Sequence, residues 1–298
     1  MHCSLLALRR RGRNAFCIFF LGASCAVPLA AQKKNAAPAD APTYLGFDAN
    51  DYPGDAALPV LKQTFSFAGY WLNPPPGEEP GEHVNSWAGK REMLLQNGFG
   101  LLVLFNGRWE RELKNPERAS SLGASDAKAA VEDAQREGFS RGTIIFLDQE
   151  EGGDMTPDQI AYLLAWFDGV VGAHFGAGVY CSGMPANASA EDPGIAAEDI
   201  RSKAATRHIS YFVYNDACPP ALGCVYGKTA PAPSASGVKF AIAWQYAQSP
   251  RRHQFTKSCS ATYDRDGNCY PPAMPAGAAP ILLDLDSATS PDPSHTRP

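Results

Sequence analysis

Residues 142–154 read GTIIFLDQEEGGD. The apolar run Ile144, Ile145, Phe146, Leu147 passes without a break into Asp148, Gln149, Glu150 and Glu151. A short run rich in β-branched and aromatic residues, bounded by turn residues, reads as a strand covered on both faces. Packing gives no reason for carboxylates at its carboxyl end. Side chains alternate along a strand, so Asp148 and Glu150 share one face while Gln149 and Glu151 share the other, and the Cα atoms of 148 and 150 lie roughly 6.6 Å apart.

Seven further runs of this kind flank it: YLGFDAN (44–50), FSFAGYWLN (65–73), GLLVLFNGR (100–108), GAGVYCSG (176–183), ISYFVYND (209–216), FAIAWQYA (240–247) and PILLDLDSA (280–288). Helix-like intervals separate several of them. Residues 156–173 open TPDQ, with Thr156 as cap, Pro157 at the first helical position and Gln159 completing a capping box. Residues 125–137 start at Ser/Asp and stop at Gly138; 198–206, 58–63 and 90–96 are weaker. Eight strands with intervening helices predict an α/β fold, a (β/α)8 TIM-type barrel in a single domain over 43–289. An open doubly wound sheet is the alternative, weakened by the lack of a Gly-rich phosphate fingerprint after the first strand. A long Pro/Gly/Cys loop, 248–279, joins the last two strands, and the tail 290–298 is expected to be disordered.

The 298 residues carry a net charge of −5, which argues against a nucleic-acid partner. Arg9, Arg10, Arg11 and Arg13 precede an apolar stretch at 15–29 and small residues at Ala30 and Ala31. That is the layout of a signal peptide (1–31) cleaved near Ala31, followed by a linker (32–42). The expected location is therefore secreted, periplasmic or cell-envelope. Two alternatives stay open, a lipoprotein-type box around Cys25 and an uncleaved anchor, and such an N-terminal anchor is the one route to a membrane. Five cysteines follow the signal region. Export permits disulfides, and the short-range pairs Cys218–Cys224 and Cys259–Cys269 are expected, leaving Cys181 as a buried free thiol.

Barrels of this class work at the carboxyl ends of their strands. Acids stand there repeatedly: Asp48 with Asp51 behind it, then Asp148, Glu150 and Glu151, then Asp216, then Asp284 and Asp286. Any one of them can be a cap. Several together at one level repel when ionised, so one has its pKa raised and keeps a proton beside an ionised partner. That is the equipment for cleaving a glycosidic bond. A divalent metal on these oxygens is a lesser reading, since the loops lack a dense oxygen-ligand pattern; no metal or cofactor is expected. Tyr70, Trp71, Tyr180, Tyr214, Trp244 and Tyr246 stand near strand ends, where rings can stack on sugar faces. In the WQY triplet the expected mouth-facing parity is that of Trp244 and Tyr246.

FDANDYPG at the first strand, LDQE at the fourth, AWQY at the seventh and LLDLD at the eighth resemble the glycoside hydrolase family 25 (lysozyme-like) barrels. The nearer resemblance is to the DUF1906, or Rv2525c-like, glycoside-hydrolase-like domain, with its F-D opening and G-Y-W-L second strand, and it covers about 43–289. The resemblance implies Glu150 as general acid, Asp148 as the partner that sets its pKa or holds a substrate N-acetyl group, Asp48 as an orienting carboxylate and Asp284 as a further acid of the cleft. It implies bacterial cell-wall glycan (peptidoglycan) as substrate. Glu151, directly after the D-x-E, stays open as a rival acid. The expectation is a glycoside hydrolase of lysozyme or muramidase type, acting as a monomer. The alternative is a non-catalytic barrel that binds wall polysaccharide. An exported structural protein whose acids only cap strands is a third class.

Overall fold

Parallel neighbours need a crossover that returns the chain to its starting end. The first seven strands are joined by six of them. In the computed structural model, which describes residues 42–74, 86–186, 194–227 and 230–296, they are β1 (Tyr44–Asp48), β2 (Phe67–Trp71), β3 (Gly100–Asn106), β4 (Ile144–Gln149), β5 (Gly176–Ser182), β6 (Ile209–Tyr214) and β7 (Ala243–Ala247). With β8 (Asp284–Ala288) they close into a barrel in sequence order. The expected signal segment and, apart from residue 42, the linker lie outside the described residues.

The barrel departs from eightfold (β/α) regularity at its last strand. Neighbours from β1 to β7 are parallel, whereas β8 runs antiparallel to both β7 and β1. The chain leaves β7 at the mouth and stays there. Its loop contains Pro250, Pro271, Pro272, Pro275 and Pro280, and no long helix carries it back to the base. The last strand is entered from the mouth, so Asp284 is its first residue, paired with Asp48, the last residue of β1.

Helices α1 (Leu58–Leu61), α2 (Arg91–Gln96), α3 (Glu110–Leu113), α4 (Pro116–Arg136), α5 (Pro157–Gly172) and α6 (Ala196–Lys203) occupy the crossovers up to β6, and α7 (His253–Thr256) lies in the final loop. The predicted cap of α5 forms: Thr156 Oγ1 accepts from the Gln159 N–H at 3.3 Å, and Gln159 Oε1 accepts from the Thr156 N–H at 2.8 Å. Helix α4 starts nine residues before the expected 125. Its start signal is Asn115, which accepts from the Arg118 N–H at 2.9 Å, followed by Pro116. Gly123 inside it has a packing reason, since a Cβ there would strike the Tyr162 backbone carbonyl of α5.

Alternation along the strands divides two cores. Phe67, Leu102, Leu104, Phe146, Phe212 and Ala243 fill the barrel interior. The opposite parity, with Leu101, Val103, Ile145, Val179 and Val213, packs under the helices. Two expectations are corrected here. The disulfides are Cys218–Cys259 and Cys224–Cys269; each ties the loop after β6 to the loop after β7, because these two loops pack side by side over the mouth. Cys181 is buried and free, as expected. The tail is ordered through residue 296: Asp292 Oδ1 accepts from the Leu101 N–H (2.9 Å), Ser294 Oγ from the Val103 N–H (2.8 Å) and the Ser294 carbonyl from the Ile144 N–H (2.9 Å). It occupies the amino-terminal gap between β3 and β4, whose own pairing runs from Val103↔Ile145 to Asn106↔Asp148.

Candidate active site at the barrel mouth

A cavity of about 240 Å³ opens at the carboxyl ends of the parallel strands. Asp48, Asp148, Glu150 and Asp284 all line it. Their convergence follows from strand parity. Asp48 follows Gly46 on the inward face of β1, Asp148 follows Phe146 in β4, and antiparallel β8 brings Asp284 level with Asp48. Gly69 makes room on β2: a Cβ there would come within 2.5 Å of the Asp48 Cβ.

Burial is the largest cause of a raised pKa at every one of these acids. For Asp148 the charges of Glu150 and then Asp48 add to it, and the group lies well above the ordinary carboxyl range. Asp284 is also pushed well up, Asp48 adding to burial while the Ser249 N–H, at 2.6 Å, works against it. Glu150 is raised by burial and by Asp48, with the Arg252 guanidinium opposing. Asp48 is raised by burial and eased back by hydrogen bonds from Gln245 and Asp286. Asp286 lies one inward step deeper and is fully buried. Neither of its oxygens has a donor among the described residues, and burial, then the charges of Asp48 and Asp284, push its pKa well above the ordinary carboxyl range. Glu150 is the most exposed of the five, its side chain open to the cleft.

Glu151 is elsewhere. It accepts from the Glu110 N–H at the start of α3 (2.9 Å), from Gln159 Nε2 (2.7 Å) and from Gln149 Nε2 (3.2 Å). It caps a helix, and the rival acid is removed from the cavity. Asp216, just past β6, is fully buried and paired with Arg252. The Arg252 guanidinium also lies over the Tyr214 ring, 5.1 Å from its centroid.

The aromatic expectations divide by parity. Trp71 and Tyr180 line the cavity. Tyr214 points into the barrel but supports the site from below, donating to the Glu150 carbonyl at 2.5 Å. Tyr70 faces the helix layer, where its hydroxyl donates to Glu137 at 2.5 Å. Trp244 and Tyr246 are corrected: both are fully buried on the outer face of β7, their polar atoms donating to the Asn215 and Val225 carbonyls. A triplet can send either one residue or two inward. Here the two bulky rings fill the outer layer, and Gln245 takes the interior. Residue-type reasoning passed over Gln245, and also Arg108 and Trp109 on the loop after β3. Arg108 is held by Asp126 of α4 at 2.6 and 2.9 Å, and Asp126 in turn accepts from the Tyr162 hydroxyl at 2.9 Å. The signal for this pair was available, since GRWE follows β3 directly. Among the described residues no group of three or more His, Cys, Asp or Glu side chains is arranged to hold a metal ion.

A closed α/β barrel with clustered carboxyls at its mouth is the architecture of a glycoside-hydrolase-like domain. The chain belongs to the family of Rv2525c-like, glycoside hydrolase-like domains, whose model matches residues 73–266. That span holds Asp148 and Glu150 and leaves β1 and β8, with Asp48 and Asp284, outside it. Among solved structures, an uncharacterized B. stearothermophilus protein is similar at 18% identity and TM-score 0.50, over 82% of this chain and 95% of that one. The Tat-secreted protein Rv2525c of Mycobacterium tuberculosis is 13% identical with TM-score 0.48, over 86% and 98%. The Clostridium perfringens spore cortex lytic enzyme SleM is 11% identical with TM-score 0.47, over 83% and 68%. The first of these likenesses describes the fold alone. No curated protein matches the chain.

Proposed function

We propose that this protein is an exported glycoside hydrolase that cleaves bacterial cell-wall glycan, with Glu150 as general acid. The observation that carries the reading is the meeting of Asp48, Asp148, Glu150 and Asp284 in one cavity, where burial raises all four and the charges of neighbouring acids raise Asp148, Glu150 and Asp284 further. A glycan-binding surface has no use for raised acids; general acid catalysis near neutral pH requires one. Glu150 takes the acid role because it is the one open to the cleft, and Glu151 is engaged elsewhere.

In this mechanism Glu150 passes its proton to the glycosidic oxygen as the bond from that oxygen to the anomeric carbon breaks. The carbonyl oxygen of the neighbouring N-acetyl group closes on the anomeric carbon, its N–H facing Asp148. Water then opens the ring and returns a proton to Glu150, so the net change is addition of one water. Asp48, as a carboxylate, stabilises the positive charge that develops on the sugar. Trp71, Trp109 and Tyr180 supply the ring surfaces. Two disulfides fit an oxidising compartment.

The test is release of new reducing ends from purified peptidoglycan and from chitin-type oligosaccharides, with Glu150→Gln in parallel. The expected outcome is release by the wild type and a loss of at least about 100-fold in the variant. Equal release by both moves the acid elsewhere. No release on any substrate, with binding retained, leaves a polysaccharide-binding barrel.

A further inference from the structure

Gln245 stands at the centre of the acid cluster, is almost fully buried, and has all its hydrogen-bonding atoms engaged. Its Nε2 donates to Asp48 Oδ2 at 2.8 Å and to Asp284 Oδ2 at 3.3 Å. Its Oε1 accepts from the Tyr180 hydroxyl at 2.7 Å and from Gln248 Nε2 at 2.7 Å. The carboxyl side determines which way round the amide sits. An ionised Asp48 can only accept, so the NH2 end faces the carboxyls and Oε1 is left for the Tyr180 hydroxyl and Gln248 Nε2.

We infer that Gln245 is the positioning residue of the site: its amide, oriented by Tyr180 and Gln248, holds Asp48 as the ionised member of the acid cluster, and Asp48 in turn keeps the proton on Glu150. The proposal deepens the catalytic reading of the same site and rests on it for its link to rate. The geometry carries it. Asp48 receives a hydrogen bond from Gln245 at 2.8 Å, and Asp286, one inward step deeper on β8, also favours its charged form. Donors to a carboxyl favour its charged form. The ionised Asp48 then repels charge on Glu150 across the cavity. The other charged or titratable groups facing Glu150 are Asp148 on β4, Asp284 on β8, Tyr180 on β5, Tyr214 on β6, and Arg252 with its partner Asp216 beyond β6 and β7. Of these, the Arg252 cation alone pulls Glu150 the opposite way.

The test titrates carboxyl carbons by NMR in the full chain, with Glu150 assigned by comparison with Glu150→Gln, and runs beside a pH profile of reducing-end release from chitin-type oligosaccharides. Gln245→Met keeps the length of the side chain and removes both donors. Asp48 then takes up a proton more readily and Glu150 loses its repulsive neighbour, so the Glu150 midpoint falls by roughly one pH unit. The alkaline limb of the rate profile falls with it. Gln248→Met, at a half-buried position, unlocks the amide and shifts both in the same direction by less. A Glu150 midpoint unchanged in folded Gln245→Met overturns the proposal and reduces Gln245 to packing. Should that variant not fold, an unchanged midpoint in Gln248→Met overturns it equally. A shifted midpoint in a wild type that releases no reducing ends sinks the catalytic reading and leaves the charge allocation standing.

Discussion

The most informative single residue outside the proposed chemistry is Asp286, a carboxyl without solvent contact whose oxygens accept no hydrogen bond from the described residues. Its pKa is far above that of the unfolded chain, where Asp titrates near 3.9. Below about pH 4 both states hold the proton and the group costs nothing. As pH rises, the unfolded chain ionises while the folded chain must keep its proton or bury a charge, so stability falls toward the folded pKa. Asn at this position never ionises. Asp286→Asn is expected to melt with the wild type near pH 4 and above it at pH 8, by at least about 2 °C if the relief is about 1 kcal/mol. An equal difference at both pH values means that Asp286 does not hold a proton in the folded chain. Nearby, Trp244 shows how a residue can have suitable chemistry and the wrong face. Its indole is fully buried and donates to Asn215, so replacing it reports on folding and not on sugar binding.

At the scale of elements, the segment after β7 does most to distinguish this barrel. It reverses the direction of β8, carries Ser249 against Asp284 and Arg252 against Asp216, and roofs one side of the mouth. Two disulfides join it to the loop after β6, across sequence separations of 41 and 45 residues. Loops of that size correspond to about 4 kcal/mol of stabilisation in the chain-entropy model. Replacing both Cys224 and Cys269 by Ala is expected to cost about 2–4 kcal/mol in denaturant unfolding. Peptide mapping without reduction should recover Cys218 linked to Cys259 and Cys224 linked to Cys269. A peptide linking Cys218 to Cys224 sinks the crossed arrangement.

For the molecule as a whole, the base of the barrel is as specified as the mouth. The tail residues Asp292 and Ser294 satisfy the Leu101, Val103 and Ile144 N–H groups, which have no strand partner there. Ser294 is fully buried. Gly100 allows the approach, since a Cβ at that position would collide with the Pro291 carbonyl and the Asp292 backbone. Buried N–H groups left without acceptors cost about 1–3 kcal/mol each. Truncation after Ser290 is therefore expected to destabilise the whole barrel by roughly 3 kcal/mol or more, with faster amide exchange at Leu101, Val103 and Ile144. Unchanged melting of the truncated chain argues against a structural tail.

The eight strands were legible in the chain because strands buried on both faces read as apolar runs, and every one of them is seen where a run stands. So was the position of the acids, since Asp48, Asp148 and Glu150 fall at the carboxyl ends of runs that a parallel barrel aims at one mouth. The cap of α5 was written in Thr156, Pro157 and Gln159, which act on their own neighbours. What stayed hidden depends on residues far apart in the chain. The direction of β8 follows from where a 36-residue connection lies in space (248–283), and no local propensity encodes that. The cysteine partners depend on two loops packing together. The tail reads as a polar, Pro-rich end until β3 and β4 present it with unpaired backbone. The parity of Trp244, Gln245 and Tyr246 is the clearest case. Alternation guarantees that Gln245 opposes its two neighbours, but which set meets the acids is decided by the volume the outer layer can accept. The sequence by itself determined the barrel and the ring of carboxyls, because strand burial and strand-end position are local properties. The tertiary structure alone decided which amide stands among those carboxyls and which rings face the cleft, because those are properties of packing across the barrel.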